Sequence, residues 1–470
     1  MNARIAVAVN PHLSDTIFAK ASGAGVSGVA LIRISGPDAG AALVALGKRA
    51  LPKPRLATLA KLYNPQTDDA IDEALVLWFP APNSFTGEDV CELHIHGGIA
   101  VVAGVLGALG EIKNLRPAEP GEFTRRAFLN DKLDLTRVEG LADLVAAETE
   151  AQLKQALIQS EGGLGTLYDE WRSRLVRALA LVEAALDFSD EELPDDITAG
   201  AIKTATEVLQ KIEQHINDAH RGERLRTGVR MVILGPPNAG KSSIMNALAK
   251  RDAAIVSDIA GTTRDVVEVH LNLGGYPLLL ADTAGLRGEG GEAGGTADTI
   301  ELEGVRRARD WAKRADLKLC LFDGAKLPML DKETEDLIDE NTIVCINKLD
   351  ALSDALPDKI NGQNVLSVSV KTGDGMDELL SVLKKRVENI LAVSTDAPLP
   401  TRERHRHALK ECAASLKRFI GDNKNATATL TSELAAEDLR LAVRALGRIT
   451  GRVDVEELLD VIFAEFCIGK

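Results

Sequence analysis

Glycine, lysine and serine stand between Gly235 and Ser242 (GPPNAGKS) at a spacing that suits phosphate chemistry. The apolar run Met231 to Leu234 precedes this loop and a segment with helical spacing follows it, which is the context that a phosphate loop requires. Backbone amides of residues 238–241 would cradle a β-phosphate, and the Lys241 ammonium would reach the β and γ oxygens. The Ser242 hydroxyl would ligate magnesium. The pattern predicts a site for a nucleoside triphosphate.

Two later motifs complete this site. Asp282 to Gly285 (DTAG) follows an apolar run, so Asp282 fits the strand-end carboxylate near magnesium and the Gly285 amide fits the γ-phosphate. In Asn347 to Asp350 (NKLD), the two carboxylate oxygens of Asp350 match N1 and the exocyclic amine of guanine. Adenine offers no such pair of donors, and a buried polar site of this kind rejects the wrong base by about 10⁴-fold. The motifs therefore predict GTP.

A third segment, Ser369 to Lys371 (SVK), resembles the loop whose backbone amide reads guanine O6 in GTPases. Between the phosphate loop and DTAG lies Ser257 to Asp265 (SDIAGTTRD), in which Thr262 and Thr263 are both candidates for a switch threonine. The residues predicted to bind GTP are Asn238, Ala239, Gly240, Lys241, Ser242, Ser243, Ser257, Asp258, Ile259, Ala260, Gly261, Thr262, Thr263, Asp282, Thr283, Ala284, Gly285, Asn347, Lys348, Asp350, Ser369, Val370 and Lys371.

Two positions make the site unusual. Leu286 follows DTAG where Ras-like GTPases place a glutamine that orients water, and a leucine side chain has no group that hydrogen-bonds to water. Another residue must orient the attacking water. Asn238 stands inside the phosphate loop, where its side-chain oxygen suits a monovalent cation, although asparagine is also a common turn residue.

The rest of the chain must position this site. At 470 residues the length corresponds to about three domains. A net charge of −15 disfavours indiscriminate binding to nucleic acid or anionic membrane, and an aromatic content of 3% disfavours stacking platforms for single strands. The five cysteines form no CxxC pair, and no apolar run is long enough for a signal peptide or a membrane span, which favours the cytoplasm.

The secondary-structure pattern that the sequence predicts changes three times along the chain. Short β-like runs, among them Val90 to Ile95, predict a small α/β domain over residues 1–130. Helical periodicity over Val138 to Ser160 and two later segments predicts a helical domain over residues 131–228. Alternating strands and helices predict a Ras-like P-loop domain over residues 229–391, and helices return over residues 392–470 after a proline-containing linker, Val393 to Thr401. The predicted fold is a multidomain α/β plus all-α chain, with the nucleotide domain inserted into one discontinuous helical domain.

The motifs and their flanks closely resemble the tRNA modification GTPase MnmE (TrmE) family over essentially the whole chain. The resemblance implies that potassium replaces an arginine finger, held by Asn238 and by backbone oxygens of Ser257, Ile259 and Thr262, with magnesium on Ser242 and Thr263. Cation charge at this place is worth about 10³ to 10⁵ in rate when an arginine supplies it.

The family's water-orienting glutamate maps to Glu301, within Ile300 to Gly304 (IELEG). Leu302 and Glu303 stand where the family has an Arg-Ile pair, so Glu303 is the alternative. The predicted catalytic residues are Glu301, Lys241 and Cys467, the last from the C-terminal Cys-x-Gly-Lys pattern that the family shares.

The N-terminal segments Ser84 to Gly98 and Pro120 to Asp134 resemble the family's folate-binding and dimerisation domain. The resemblance implies 5-formyltetrahydrofolate or methylene-tetrahydrofolate as cofactor and a homodimer. The matching folate-contacting positions are Arg33, Glu92, Lys132 and Lys470. Glu92, His94 and His96 alternate along one strand face, but a metal site there is disfavoured because a third histidine is missing.

The resemblance implies a potassium-stimulated GTPase that acts with an FAD-dependent MnmG (GidA)-type partner, in a heterotetramer or larger complex. Together they add an aminomethyl or carboxymethylaminomethyl group to C5 of the wobble uridine of certain tRNAs. The alternative is a GTP-gated RNA-binding or ribosome-assembly factor without modification chemistry. A stand-alone hydrolase that uses the folate-like domain by itself is a second alternative.

Overall fold

The computed structural model describes residues 15–187, 196–251, 268–281, 311–352, 354–391, 398–423, 433–453, 456–464, 466 and 468–469. The chain divides into two compact units: unit 1 is Met1–Ala142 with Gly447–Lys470, and unit 2 is Asp143–Leu446. The α-helices of the described residues are α1 (Ala39–Gly47), α2 (Ile99–Gly110), α3 (Glu122–Leu129), α4 (Leu135–Ala146), α5 (Glu150–Ser160), α6 (Gly163–Asp187), α7 (Asp196–Thr227), α8 (Lys241–Arg251), α9 (Lys332–Glu335), α10 (Met376–Leu391), α11 (Glu403–Asn423), α12 (Glu433–Thr450) and α13 (Glu456–Ala464).

Unit 1 is built on a six-stranded sheet in the order β3-β4-β5-β2-β1-β6. Apolar residues alternate along its strands, so one face packs against α1 and α2 in a core that includes Ile32, Leu93 and Leu109. On the other face, Phe123 of α3 packs on Ile17 and Ala19 of β1. The strands are β1 (Thr16–Lys20), β2 (Ser27–Ser35), β3 (Thr58–Tyr63), β4 (Ala70–Phe79), β5 (Val90–Gly97) and β6 (Leu115–Pro117).

The C-terminal segment of the chain belongs to unit 1. Leu459, Ile462 and Phe463 of α13 pack with Leu135 and Val138 of α4 in a separate apolar cluster. Beyond α13, Ile468 forms an isolated antiparallel bridge with Pro120. Gly469, with a φ of +100°, lies so close to the Lys20 carbonyl that a Cβ there would be 2.2 Å from its oxygen. The end of the chain is thereby placed beside β1.

Unit 2 contains a seven-stranded sheet in the order β12-β13-β11-β10-β7-β9-β8. Its five central strands, from β13 to β9, pair in parallel, while β12 and β8 are antiparallel edges. Loops at the carboxyl ends of parallel strands form the usual ligand site of such sheets. The strands are β7 (Val229–Leu234), β8 (Glu268–Leu273), β9 (Tyr276–Ala281), β10 (Leu317–Asp323), β11 (Thr342–Asn347), β12 (Lys359–Ile360) and β13 (Gln363–Ser367).

The predicted fold class is confirmed, and the apolar run Met231 to Leu234 that precedes the phosphate loop lies within β7. One predicted helix is wrong, because Val138 to Ser160 is two helices and not one. Thr149 interrupts it as the N-cap of α5, where its side chain and that of Gln152 form a capping box. Periodicity continues across this break, which is why the pattern did not reveal it.

Helices from both sides of the nucleotide-binding segment pack together within unit 2. Lys417 of α11 pairs with Glu213 of α7 at 2.7 Å, and Arg406 pairs with Glu223 at 3.1 Å. The segment predicted as a linker is buried where it is described, since Leu399 and Thr401 are 3% and 1% exposed. The prediction of a linker from proline content therefore missed a packed segment that fastens α11 to its neighbours.

No helix in the part of the chain that the structure describes is both long and apolar enough to cross a membrane.

Candidate functional site

The phosphate loop connects β7 to α8 as predicted, and two of its glycines are required by close approach. A Cβ on Gly235 would lie 2.4 Å from the Leu321 carbonyl oxygen, and one on Gly240 would lie 2.2 Å from Asn347 Nδ2. Lys241 Nζ donates to the carbonyl oxygens of Gly235 and Pro236 at 2.8 and 2.9 Å. The lysine side chain is therefore folded over the loop where phosphates would lie, while Ser242 and Ser243 are exposed in the first turn of α8.

Asn238 has a left-handed backbone with a φ of +65°, and its side chain is exposed. Asparagine adopts this conformation more readily than most residues, so the backbone alone accounts for its presence here. An exposed side-chain oxygen at this point is also free to meet an ion beside the phosphates. Both interpretations made from the sequence fit this geometry.

Asn347 joins two of the predicted motifs to the phosphate loop. Its Nδ2 donates to the Ala239 carbonyl oxygen at 2.8 Å, and its Oδ1 accepts from the Val370 amide at 3.5 Å. The residue is 3% exposed. Asn347 was predicted as a nucleotide contact, and in this structure it is a buried brace that holds the phosphate loop, NKLD and SVK together.

Two neighbouring side chains position the Asp350 carboxylate. Ser369 Oγ donates to its Oδ1 at 2.7 Å, and Lys371 Nζ lies 3.7 Å from its Oδ2. The hydrogen bond from Ser369, together with the positive charge of Lys371, keeps the pKa of the Asp350 carboxyl below its ordinary value. The carboxylate is therefore ionised at neutral pH, as recognition of guanine requires.

Lys348 has a partner that the sequence analysis missed. Its Nζ lies 2.6 Å from Oδ2 of Asp323, whose side chain is 6% exposed at the end of β10. A signal was present, because Asp323 and Gly324 follow the apolar run of β10 directly, as Asp282 follows that of β9. Asp323 orients the lysine of NKLD.

Several predicted residues lie outside the described part of the chain. These are the whole predicted switch loop, the DTAG motif with Leu286, both candidate glutamates, and Cys467 and Lys470 of the C-terminal pattern. The described elements end beside them, since β8 begins at Glu268 and β9 ends at Ala281. Outside the described residues are Ser257, Asp258, Ile259, Ala260, Gly261, Thr262, Thr263, Asp282, Thr283, Ala284, Gly285, Leu286, Glu301, Glu303, Cys467 and Lys470.

A second cluster of predicted residues meets in unit 1. Arg33 on β2 and Glu92 on β5 are direct cross-strand neighbours, and Arg33 Nε and Nη2 donate to Glu92 Oε1 at 3.0 and 2.9 Å. The Arg33 guanidinium lies over the Phe85 ring at 5.3 Å and over the Phe123 ring at 5.8 Å. Two aromatic rings and a charged pair thus share one partly buried place.

The Lys132 side chain lies beside the loop that carries Phe85. Gly87 in that loop has a φ of +81°, and a Cβ built on it would lie 3.3 Å from Lys132 Cε. The C-terminal bridge between Ile468 and Pro120 lies three residues before Phe123. The structure therefore brings Arg33, Glu92 and Lys132 into one unit with the end of the chain.

Glu92, His94 and His96 have different surroundings. Glu92 pairs with Arg33, His96 pairs with Asp72, and His94 Nε2 lies 3.9 Å from Glu92 Oε2. Among the residues that the structure describes, no group of three or more His, Cys, Asp or Glu side chains is arranged to hold a metal ion.

Charged residues of the two N-terminal motifs form a buried network that the sequence analysis did not anticipate. Arg126 is fully buried and its guanidinium contacts Glu88 at 3.1 Å and Glu122 at 3.0 Å. Burial raises the pKa of the Glu122 carboxyl, but hydrogen bonds from Arg116, the Glu119 amide and Arg126 outweigh it, so the net pKa is lowered. Glu122 directly precedes Phe123, whose ring the Arg33 guanidinium overlies, so the network adjoins the Arg33 cluster along α3.

We expect Arg126→Met to lower the free energy of unfolding by about 3–5 kcal/mol, because it removes a fully buried guanidinium, leaves Glu88 without that partner and leaves Glu122 with Arg116 alone. Urea unfolding of the full chain measures the loss. The matched control is Arg125→Met on the same helix, whose partner Asp460 is 74% exposed, and we expect it to cost about 1 kcal/mol or less. Equal losses in the two variants would contradict a special role for the buried network.

The start of α5 contacts the β8–β9 hairpin of the nucleotide-binding part at two points and α7 at a third. Glu148 Oε2 lies 2.9 Å from Nδ1 of His270 on β8, and the Ala151 amide donates to the Gly275 carbonyl oxygen at 3.1 Å in the β8–β9 turn. Gln152 Nε2 donates to the carbonyl oxygen of Arg226 at 2.9 Å, near the end of α7. The β8–β9 hairpin lies between the switch-loop segment and DTAG, so α5 is attached to the element that joins them.

Comparison with known proteins gives matches over nearly the whole chain. The family model described as the MnmE helical domain matches residues 135–467, and the one described as the GTP-binding protein TrmE N-terminus matches residues 16–132. The tRNA modification GTPase MnmE of Paramagnetospirillum magneticum is 55% identical over 97% of this chain and 100% of its own length. The MnmE of Rhodospirillum rubrum is 51% identical over 97% of this chain and 99% of its own length.

A relative from Danio rerio is named as the mitochondrial 5-taurinomethyluridine-[tRNA] synthase subunit GTPB3. It is 46% identical, over 97% of this chain and 93% of its own length.

Proposed function

Because the chain belongs to the MnmE family of tRNA modification GTPases, we propose that it hydrolyses GTP to GDP and phosphate and couples this hydrolysis to modification of C5 of the wobble uridine in certain tRNAs. The observation that carries the proposal is the brace at Asn347, which gathers the phosphate loop, NKLD and SVK around one place. A phosphate-binding loop and a guanine-reading carboxylate in one site are what a GTP hydrolase requires.

Magnesium fits the residues at the phosphate loop. Ser242 is exposed in the first turn of α8, where its hydroxyl would ligate the ion together with Thr263, and bound magnesium neutralises charge on the β and γ oxygens. Lys241 would release its two loop carbonyls to reach those oxygens. We assign Lys241 and Glu301 to hydrolysis, with Glu303 as the alternative for orienting the water.

Two observations support potassium stimulation. The Asn238 side chain is exposed in the phosphate loop, and Leu286 stands where other GTPases have a water-orienting glutamine. Asn238 would hold the ion with backbone oxygens of Ser257, Ile259 and Thr262, and the ion would supply the positive charge that an arginine supplies in other GTPases.

The domain boundaries at residues 130/131, 228/229 and 391/392 are part of the proposal. Contacts between α7 and α11 support insertion of the nucleotide domain, since helices that precede and follow it pack on each other. The resulting helical part would carry motion from the nucleotide site to the remainder of a homodimer.

Folate binding is proposed at the Arg33 cluster. The guanidinium and the Glu92 carboxylate are partly exposed, at 18% and 19%, and the adjacent Phe85 ring suits the flat face of a pterin. Lys132 and Lys470 complete the proposed contacts to 5-formyltetrahydrofolate or methylene-tetrahydrofolate, and Cys467 is assigned to the modification chemistry. The folate would supply the one-carbon unit.

The modification is proposed to need an FAD-dependent MnmG (GidA)-type partner in a heterotetramer or larger complex. The name of the Danio rerio relative supports position 5 of a tRNA uridine as the target. The cytoplasm is the proposed compartment, supported by four free cysteines among the described residues, all of them buried.

Nucleoside analysis of tRNA from cells that lack this protein tests the proposal. We expect the C5-substituted wobble uridines to disappear and to return when the intact chain is expressed again. Unchanged wobble uridines would refute the modification function and would favour the alternative of a GTP-gated RNA-binding or ribosome-assembly factor.

We expect Glu148→Gln to uncouple the two activities. The change removes the charge that pairs with His270 but leaves the nucleotide site intact, so GTP turnover stays near the wild-type rate while tRNA modification falls about tenfold, a typical coupling between sites. Both rates are measured on the same preparation. Glu161→Gln at the other end of α5 is the control, and a parallel loss of both activities in Glu148→Gln would show that the contact acts in another way.

A further inference from the structure

His96 and Asp72 form a doubly hydrogen-bonded pair at the end of β5. His96 Nδ1 lies 2.7 Å from Asp72 Oδ1, and the His96 amide donates to Asp72 Oδ2 at 2.8 Å. Both carboxylate oxygens thus hold the same residue. This arrangement fixes the orientation of the imidazole ring and favours the tautomer that carries its proton on Nδ1.

The two partners differ sharply in exposure. The Asp72 side chain is 8% exposed, whereas the His96 side chain is 71% exposed. Burial raises the pKa of Asp72, but hydrogen bonds from the His96 amide and ring outweigh it and the net pKa is lowered. Asp72 is therefore an ionised, largely buried acceptor that turns Nε2 of His96, with its lone pair, toward the outside of the unit.

The strands on both sides of this end of β5 are irregular. The pairing of β2 with β5 shifts between Ser27 and Ala30, and the pairing of β3 with β4 shifts next to Asp72. Irregularities of this kind re-aim side chains and are frequent beside active sites. Val29, in the irregular part of β2, and Ile99, the first residue of α2, are exposed apolar residues at 59% and 74%.

His96 also shares a strand with the proposed folate site. Residues two apart on a strand lie on one face, so β5 presents Glu92, His94 and His96 in a row. Four residues of strand separate Glu92 from His96 by about 13 Å. An extended ligand held at Arg33 and Glu92 that runs along β5 reaches the imidazole.

We propose that His96 is a further ligand-binding residue, which presents Nε2 as a fixed acceptor to an N–H or O–H group of a tetrahydrofolate-type ligand, with Asp72 as its positioning residue. The inference rests on the proposed folate function and extends it by one contact. A surface ion pair kept for stability alone contributes little and would not require a carboxylate whose side chain is only 8% exposed.

Two substitutions of His96 separate binding from structure. His96→Asn keeps a donor near the position of Nδ1 and so keeps the bond to Asp72, but it has no atom at the position of Nε2. His96→Gln places a polar atom near Nε2 and gives up the bond to Asp72. Calorimetric titration of the full-length variants with 5-formyltetrahydrofolate, together with their thermal midpoints, compares the two roles.

We expect about tenfold weaker binding in His96→Asn, the effect of one lost hydrogen bond, with an unchanged thermal midpoint, and near wild-type binding in His96→Gln. Asp72→Asn should weaken binding about tenfold while Nε2 is still present, because loss of an orienting partner typically costs that much. The reverse order, with His96→Asn binding like wild type and His96→Gln unstable, overturns the inference in favour of a structural role.

An independent measurement covers variants that do not fold. Diethyl pyrocarbonate modifies accessible imidazole nitrogens, and we expect 5-formyltetrahydrofolate to slow its reaction at His96 in the wild-type chain, read by peptide mass spectrometry. Absence of protection overturns the inference. Arg33→Met distinguishes the two proposals: if it abolishes binding while His96→Asn does not change it, the folate site stands and the His96 contact fails. If the wild-type chain does not bind the ligand, both fail.

Discussion

Asp350→Asn is expected to weaken GTP binding by up to about 10⁴-fold and to shift the preference of the protein to XTP. The carboxylate offers two acceptors to the two donors of guanine, and asparagine replaces one acceptor with a donor. Xanthine carries a carbonyl where guanine carries its amine, so the asparagine side chain matches it. Binding of fluorescent GTP and XTP analogues to the full chain measures both affinities.

The structure supplies the geometry on which this expectation depends. Ser369 Oγ already holds one carboxylate oxygen of Asp350 at 2.7 Å, so an asparagine in the same orientation would have its side-chain position fixed in advance. Asp354→Asn, an exposed aspartate four residues away, is the matched control and should leave both affinities unchanged. Equal loss of GTP and XTP binding in Asp350→Asn would indicate that the loop, and not base recognition, had been damaged.

Replacement of Asn238 is expected to abolish the potassium stimulation of GTP turnover. We expect wild-type turnover in potassium to exceed that in sodium at equal ionic strength, and Asn238→Ala to lose an advantage of about 10³-fold, the lower end of what an arginine supplies at this position in other GTPases. The physical reason is the loss of the side-chain oxygen that would hold the ion beside the phosphates.

The variant Asn238→Gly distinguishes a role of Asn238 in ion binding from a role in backbone conformation. The left-handed φ of +65° is strained for alanine but not for glycine, so a purely conformational role would leave Asn238→Gly fully stimulated by potassium. Loss of stimulation in both variants supports the ion, whereas retention in the glycine variant contradicts it. Asn246→Ala, on the exposed surface of α8, controls for an unrelated loss of an amide.

Much of the nucleotide site was predictable because its chemistry is local. A phosphate loop needs glycines where the backbone turns closely, and Gly235 and Gly240 stand at such contacts. A strand must precede it, and the apolar run that ends at Leu234 is β7. The spacing of residue types within a few positions is therefore enough to predict the phosphate loop.

Pairings between distant residues were not predictable in this way. Arg33 and Glu92 were each predicted to contact a ligand. The register of β2 and β5 makes them cross-strand neighbours that bond to each other. Arg126 lies in the segment Pro120 to Asp134, where no role was predicted for it, and it is the buried centre of an ionic network. Which charge meets which depends on strand register and helix placement, and neither is visible in the spacing along the chain.

By itself, the sequence determined the identity of the nucleotide motifs, the order of α/β and helical segments, and the family. The tertiary structure decided how the polar residues are used: Asn347 braces three loops, Asp323 orients Lys348, and Asp72 holds His96 outward. The reason is physical. Local motifs follow from the backbone of a few neighbouring residues, whereas a buried polar group must find its partner across the fold, and that partner can be anywhere in the chain.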